Sequence, residues 1–247
     1  MRRFFTEPEN INEDSARILE DAGHITRVLR MEPGEKILLF DGSGYEYLAE
    51  LTCIDAKECI ASILQKTYSE QEPDISVTIF QGIPKSGKME SIIQKCVELG
   101  VSDIVPTSLD RCVAKLESGK KENEKLKRWN KVALEAAKQC GRGKIPKVLP
   151  PMTFKDAIEK MKTMDLALMP YEMLGHQGDM SLKRVLSGTD CKSIGIIIGP
   201  EGGFSDAEAK IAEDSGLAMV GLGKRILRTE TVASTMLSII MYEKNQI

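Results

Sequence analysis

Arg228, Thr229, Glu230 and Thr231 follow a glycine-broken turn, Val220-Gly-Leu-Gly-Lys-Arg-Ile-Leu227, that leaves a short apolar run. An arginine beside a carboxylate in such a place suits charge stabilisation and proton transfer. The guanidinium is a permanent planar fork of donors, and the carboxylate is a candidate general base. The same residues also suit a plainer task, since Thr229 or Thr231 can cap a helix whose positive end Glu230 complements. Upstream, Ile196-Ile-Ile-Gly-Pro-Glu-Gly-Gly203 joins a second apolar run to a second glycine turn. Glycines there let a backbone approach a ligand closely or simply make a tight turn, and both readings stand. Glu201 is a second candidate base or a shaper of its own loop. Leu168-Met-Pro-Tyr-Glu172 ends a third run. Neither glycine turn has the G-x-G-x-x-G spacing and no G-x-x-x-x-G-K-[ST] occurs, which disfavours Rossmann and P-loop phosphate sites.

Such turns act together only if a sheet holds them side by side. After Pro73 the sequence alternates strand and helix. Ile75–Phe80 is β-rich, and Ser86–Leu99 carries Met89, Ile92, Ile93, Cys96 and Leu99 at helical spacing. Ile104-Val105 follows, then a long helix marked by Leu126, Trp129, Ala133, Ala136 and Cys140 and closed by Gly141. Leu166–Met169, Ser193–Ile198 and Ala218–Val220 read as buried strands. Ser205-Asp-Ala-Glu208 is a capping box that starts a helix. The fold class is therefore α/β with a parallel sheet covered on both faces, where ligands bind beyond the carboxyl ends of the strands.

From Ala16 to Lys66 the pattern favours strands, with a turn at Asp41-Gly-Ser-Gly44 and one helix over Ala22–Met31 whose apolar face is Ile25, Val28 and Leu29. Ser69–Pro73 reads as a linker. Two domains follow, a small mostly β unit over 1–70 and a larger unit over 73–247.

The chain has 247 residues, 42% hydrophobic, with a net charge of −3. That supports a real core and excludes both wholesale disorder and a uniformly basic nucleic-acid protein, though not a local basic patch. Residues 1–70 carry 8 basic and 14 acidic side chains, whereas residues 85–147 carry 15 and 8. The N-terminus turns polar too soon for a signal peptide, and Val232–Tyr242 is shorter than the ~20 residues of a membrane span. Six cysteines without C-x-x-C, and two histidines, His24 and His176, without cysteines at ligand spacing, predict no disulfide framework and no metal site. A soluble, reduced, cytoplasmic protein is expected.

Gly199-Pro-Glu-Gly-Gly-Phe-Ser205 and Leu222-Gly-Lys-Arg-Ile-Leu-Arg-Thr-Glu-Thr231 resemble the paired C-terminal signatures of the ribosomal RNA small subunit methyltransferase E family of the SPOUT superfamily. Met1-Arg-Arg-Phe-Phe5, His24-Ile-Thr-Arg-Val-Leu-Arg30, Phe40-Asp-Gly42, Lys95-Cys-Val-Glu-Leu-Gly-Val101 and Arg128-Trp129 agree in the same order, so the likeness spans nearly the whole chain. Two departures stand out: Lys138-Gln139 where Glu-Gln is common, and Val232 where Ala is usual. The resemblance implies a PUA-like β-barrel followed by a methyltransferase domain with a trefoil knot. It also implies a homodimer and transfer of methyl from S-adenosylmethionine to N3 of a uridine in 16S ribosomal RNA.

On that reading the cofactor residues are Met169 and Pro170; Ile198, Gly199, Pro200, Glu201, Gly202 and Gly203; and Leu222, Gly223, Arg225, Ile226, Leu227 and Thr231. Arg228 is the catalytic cation, Glu230 the first candidate base and Glu201 the second, and the proton can also leave to water without a base. Candidate RNA contacts are Arg2, Arg3, Arg27 and Arg30 in the first domain, and Lys85, Lys88, Lys95, Arg111 and Lys115 in the second. Trp129 has the spacing of a core residue rather than a base-stacking one. The weighed alternatives are a SPOUT ribose 2′-O-methyltransferase, a non-catalytic dimeric RNA-binding protein and a nucleotide-dependent oxidoreductase.

Overall fold

The computed structural model describes residues 1–85, 87–113, 119–173, 182–187 and 189–246, so Ser86, Lys115 and His176 lie outside the described residues. The chain divides into two compact units.

The first unit comprises Met1–Glu72 together with Ala137–Ile145. Its five strands are β1 (Arg3–Phe5), β2 (Ser15–Ile18), β3 (Lys36–Phe40), β4 (Tyr45–Ile54) and β5 (Cys59–Tyr68), in the order β1-β3-β4-β5-β2. β1 runs parallel to β3, and the other pairs are antiparallel. The β3–β4 turn forms at Asp41, whose carboxylate accepts from the Ser43 amide at 2.8 Å, while Gly42 takes a φ of +80°. Ile18, Ile25, Ile37, Leu39, Leu51 and their neighbours form its core. The helix over Ala22–Met31 shrinks to one π-helical turn, His24–Val28. Ile25 is buried there and Leu29 packs on the core, but Val28 is exposed, because the wider turn rotates it off that face.

Residues 137–145 join this unit for an electrostatic reason. The buried Arg142 guanidinium pairs with the buried Glu72 carboxylate at 2.8 Å, and the Arg142 carbonyl accepts from Arg3 at 2.6 Å. Charges this deep need such partners.

The second unit comprises Pro73–Ala136 and Pro146–Ile247. Its strands are β6 (Ser76–Gly82), β7 (Asp103–Ser108), β8 (Lys147–Val148), β9 (Met152–Thr153), β10 (Leu166–Pro170), β11 (Ser193–Ile198) and β12 (Ala218–Val220). All are parallel, in the order β12-β10-β11-β6-β7-β8, with β9 on β7. The helices are α1 (Lys88–Glu98), α2 (Lys120–Cys140), α3 (Phe154–Met161), α4 (Leu182–Ser187), α5 (Asp206–Asp214) and α6 (Thr229–Glu243). Phe80, Val105, Met169 and Ile197 pack with α3 and α5, while the alternate residues Ile79, Ile104, Leu168 and Ile196 are buried as well. Burial on both faces is why these strands read as unbroken apolar runs.

Helix ends follow the sequence. The Ser205–Glu208 capping box is complete, and Gly141 closes α2 at a φ of +83°. Trp129 is buried, with its indole N–H donating to Glu90 at 3.2 Å, in keeping with a packing role. Among the described residues no helix is long and apolar enough to cross a membrane.

Candidate active site

β12, β10 and β11 are neighbours and end together, so their following loops meet. Those loops and the start of α6 enclose a cavity of about 330 Å³, within the small-molecule range. Pro170, Tyr171 and Glu172 come from the end of β10 and the loop after it; Ile198, Gly199, Pro200, Glu201, Gly203 and Phe204 from the end of β11 and its loop; and 222–229 from the loop after β12 and the first residue of α6.

The β11 loop is folded hard upon itself. A Cβ on Gly199 would lie 3.1 Å from the Gly203 backbone and 3.3 Å from the Phe204 ring. The Gly203 amide closes the turn onto the Pro200 carbonyl at 2.9 Å. Beneath it, a Cβ on Gly82 would meet the Pro200 nitrogen at 2.7 Å and the Ile198 carbonyl oxygen at 2.8 Å. In the β12 loop Gly223 has a φ of +93° with open space where a side chain would point. From Leu222 to Leu227 no backbone group bonds to another described residue, which leaves a run of main-chain donors and acceptors on the cavity wall.

One buried hydroxyl ties these parts. Thr229, 4% exposed at the start of α6, donates to the Gly199 carbonyl at 2.7 Å and accepts from Gln81 Nε2 at 2.8 Å. It does not cap the helix: Arg228 is the N-cap, without a side-chain cap bond. Replacing Thr229 by Val takes the hydroxyl donor from the Gly199 carbonyl and one of two acceptors from Gln81 Nε2, which keeps the Gly82 carbonyl at 2.9 Å, at about 1–3 kcal/mol for each group left unsatisfied. We expect Thr229→Val to lower the denaturant midpoint and weaken ligand binding, and Thr229→Ser to restore both; equal behaviour of Val and Ser would remove the hydroxyl from this role.

The charges are arranged around Lys88. Its ammonium lies 3.1 Å from Glu201 Oε1 and 3.4 Å from Glu230 Oε2, and it lines the cavity. Glu201 also accepts from the Lys85 amide at 3.2 Å. Burial works against the Glu201 charge, but the hydrogen bonds from its own backbone, Lys88 and the Lys85 amide outweigh it and hold the carboxyl below its ordinary pKa. The bond to Glu201 in turn raises the Lys88 pKa. A carboxylate so stabilised is a weak base. Arg228 lines the cavity, is exposed, and makes no ion pair among the described residues. Among those residues no three His, Cys, Asp or Glu side chains gather as a metal centre requires.

The structure brings together on one wall Arg228 and, of the fourteen cofactor candidates, Pro170, Ile198, Gly199, Pro200, Glu201, Gly203, Leu222, Gly223, Arg225, Ile226 and Leu227. Three stand apart. Met169 is fully buried in the α3–α5 core, because it faces a helix layer rather than the strand end. Gly202 turns outward, its carbonyl accepting from Arg111 at 3.1 Å. Thr231 is exposed on α6 and off the wall. Glu230 does not line the cavity itself; its carboxylate lies 3.4 Å from the Lys88 ammonium, which does.

Among the RNA candidates Lys88 belongs to the cavity. Arg3 is half-buried on the Phe40 ring at 3.7 Å, bonded to Glu46 at 3.0 Å, and burial pulls its pKa below the usual guanidinium value. It is a structural group, committed to partners in its own unit. Arg2, Arg27 and Arg30 are exposed on the first unit; Lys85, Lys95 and Arg111 are exposed on the second. Lys138, at the first departure, pairs with Asp21 at 3.3 Å; Val232, at the second, lines the cavity. Sequence reasoning missed Gln81, Gly82 and Thr229 as site builders and Tyr171, Glu172 and Phe204 as wall residues.

A family model described as an RNA methyltransferase domain matches residues 70–241, and another, an RNA methyltransferase PUA domain, matches residues 20–64. Ribosomal RNA small subunit methyltransferase E of Bacillus subtilis (strain 168) is 36% identical over 91% of this chain and 88% of its own length. The crystal structure of the Neisseria gonorrhoeae protein of that name, bound to S-adenosyl methionine, superposes with a TM-score of 0.83 at 31% identity, covering 98% of this chain and 97% of that one. A putative methyltransferase from Legionella pneumophila in complex with the same cofactor gives 0.82 at 30% identity, over 97% and 96%.

Proposed function

The chain belongs to the ribosomal RNA small subunit methyltransferase E family, and from that premise we propose that it methylates N3 of a uridine in small-subunit ribosomal RNA, using S-adenosylmethionine. The observation that carries this reading is the cavity beyond β10, β11 and β12, walled by open main chain and bordered by an arginine with no ion pair among the described residues.

The residues present fit the cofactor. The cavity has the size of a small-molecule site, and Gly223 on its wall faces open space where a side chain would point. The unengaged backbone from Leu222 to Leu227 offers the alternating donors and acceptors that a purine edge requires, between the apolar side chains of Ile198, Leu222 and Leu227. When bound, S-adenosylmethionine supplies a methyl group already activated on a sulfonium.

The protein's own task is then the uridine. N3 is a poor nucleophile until its proton leaves, and the negative charge that results spreads over the ring oxygens. Arg228, on the cavity wall and without a carboxylate partner among the described residues, donates to one of those oxygens and lowers the cost of the charge. Glu201, held ionised by Lys88 and backbone amides, is a weak acceptor, so the proton departs to solvent. Lys88 and its two carboxylates hold the starts of α1 and α6 against the β11 loop. Positioning supplies much of the remaining acceleration. A trefoil-knotted SPOUT-type domain, a homodimer and a cytoplasmic place of work complete the proposal.

Small-subunit RNA from cells lacking the protein, incubated with the purified enzyme and S-adenosylmethionine, is expected to yield 3-methyluridine on nucleoside mass spectrometry. Ribose-methylated product, or none, would overturn the assignment, as would calorimetry in which NAD binds and S-adenosylmethionine does not.

A further inference from the structure

The first unit carries a surface that nothing in the methyl-transfer chemistry uses. Strand β5 begins with its residues alternating into the core, but from Leu64 to Tyr68 every residue is exposed. Both faces of that half-strand are wet, although Gln65–Tyr68 remain paired to β4, with a register shift that leaves Leu64 unpaired. The register sets Tyr45 opposite Tyr68 and Tyr47 opposite Lys66, so all four share one face.

That face is ordered by its own contacts. The Tyr45 and Tyr68 rings meet edge to face at 5.5 Å and 86°. Lys66 Nζ lies 4.2 Å from the Tyr45 centroid, and Lys144 Nζ lies 5.6 Å from that of Tyr68. Lys144 is held in place by its backbone, whose amide donates to Glu72 at 2.9 Å. Gly44 keeps the surface open, since a Cβ there would meet Tyr68 at 3.0 Å and Lys144 at 3.2 Å. The local carboxylates are spent elsewhere: Asp41 accepts from the Tyr47 hydroxyl at 2.8 Å, and Glu72 pairs with Arg142. Neither Lys66 nor Lys144 has a carboxylate partner among the described residues.

Two tyrosines left 40% and 51% exposed beside two uncompensated ammonium groups make a surface complementary to unpaired nucleotides. Aromatic faces stack on bases that are not buried in a duplex, and ammonium groups take the phosphates between them. We propose that Tyr45, Tyr68, Lys66 and Lys144 form a binding face for a single-stranded segment of the substrate RNA, separate from the cationic group Arg2, Arg27 and Arg30. This rests on RNA being the substrate, as proposed above.

The test uses the full-length protein and a fluorescein-labelled oligouridylate, with a blunt RNA hairpin stem as the paired control. Tyr68→Ala is expected to weaken oligouridylate binding about tenfold, and Tyr68→Trp to retain it. Lys66→Gln and Lys144→Gln should each reduce the slope of log affinity against log salt by about 0.7. S-adenosylmethionine affinity, read by calorimetry, should stay constant in all four variants. Unchanged oligouridylate binding in a Tyr45→Ala/Tyr68→Ala double variant would place the RNA elsewhere and overturn the proposal. So would equal loss on the hairpin stem, or a loss of self-association in ultracentrifugation without a loss of RNA. If the unmodified protein neither binds nor methylates RNA, the underlying substrate reading fails, and that outcome is separate from the variant results.

Discussion

Arg228→Ala is expected to slow methyl transfer about 10²–10³-fold while leaving S-adenosylmethionine affinity within a few-fold. The expectation follows from where the guanidinium sits. It lines the cavity, stands at the N-cap of α6 and has no ion-pair partner among the described residues, so its donors are available to a ligand. Charge on the pyrimidine develops only as N3 loses its proton, and a donor aimed at that charge acts on the transition state more than on the ground state. The wall proposed to hold the cofactor also includes the main chain of 222–227 and the side chains of Ile198, Leu222 and Leu227, which the substitution leaves alone. Arg228→Lys should recover little, because an ammonium cannot reproduce the planar fork. Single-turnover rates with calorimetry separate the cases. A parallel fall in rate and cofactor affinity would make Arg228 a binding residue instead.

Gly82→Ala should have the other large effect, and through a different route. One added methyl group would sit 2.7 Å from the Pro200 nitrogen and 2.8 Å from the Ile198 oxygen, both backbone atoms at the root of the β11 loop. Leu109 Cδ1, at 2.6 Å, can swing aside; the backbone cannot. Overpacking of this kind costs about 1–3 kcal/mol, and here the displacement passes directly into the Gly199–Gly203 turn. Thermal unfolding should drop by several degrees and S-adenosylmethionine affinity by tenfold or more, about 1.4 kcal/mol. A stable protein with unaltered affinity would show that the loop does not depend on this contact.

Much of this was legible before any coordinates. Buried parallel strands betray themselves as runs such as Ile194, Ile196, Ile197 and Ile198, and the Ser205–Glu208 cap is a purely local device. The glycine turns after β11 and β12 were visible for the same reason. What escaped depends on contacts distant in sequence. Lys88 reads as one more cation in a basic stretch until Glu201 and Glu230 are found around it. Thr229 reads as a cap because capping is what threonine does at a helix start, whereas its hydroxyl is taken by Gly199 and Gln81. Strand alternation, which single residues do not announce, turns the Met169 side chain into the core while Pro170, beside it, reaches the cavity. Arg3 looked like a free cation, and only the fold reveals Phe40 and Glu46 waiting for it.

The return of residues 137–145 to the first unit, through Arg142 and Glu72, bears on how such a gene can evolve. A cut after Glu72 would leave behind the arginine that neutralises it and the carbonyl that holds Arg3. Recombination at that seam would thus yield a fragment with a stranded interior carboxylate. The first unit is therefore not self-sufficient as a stretch ending at Glu72, because part of its interior is supplied from residues 137–145.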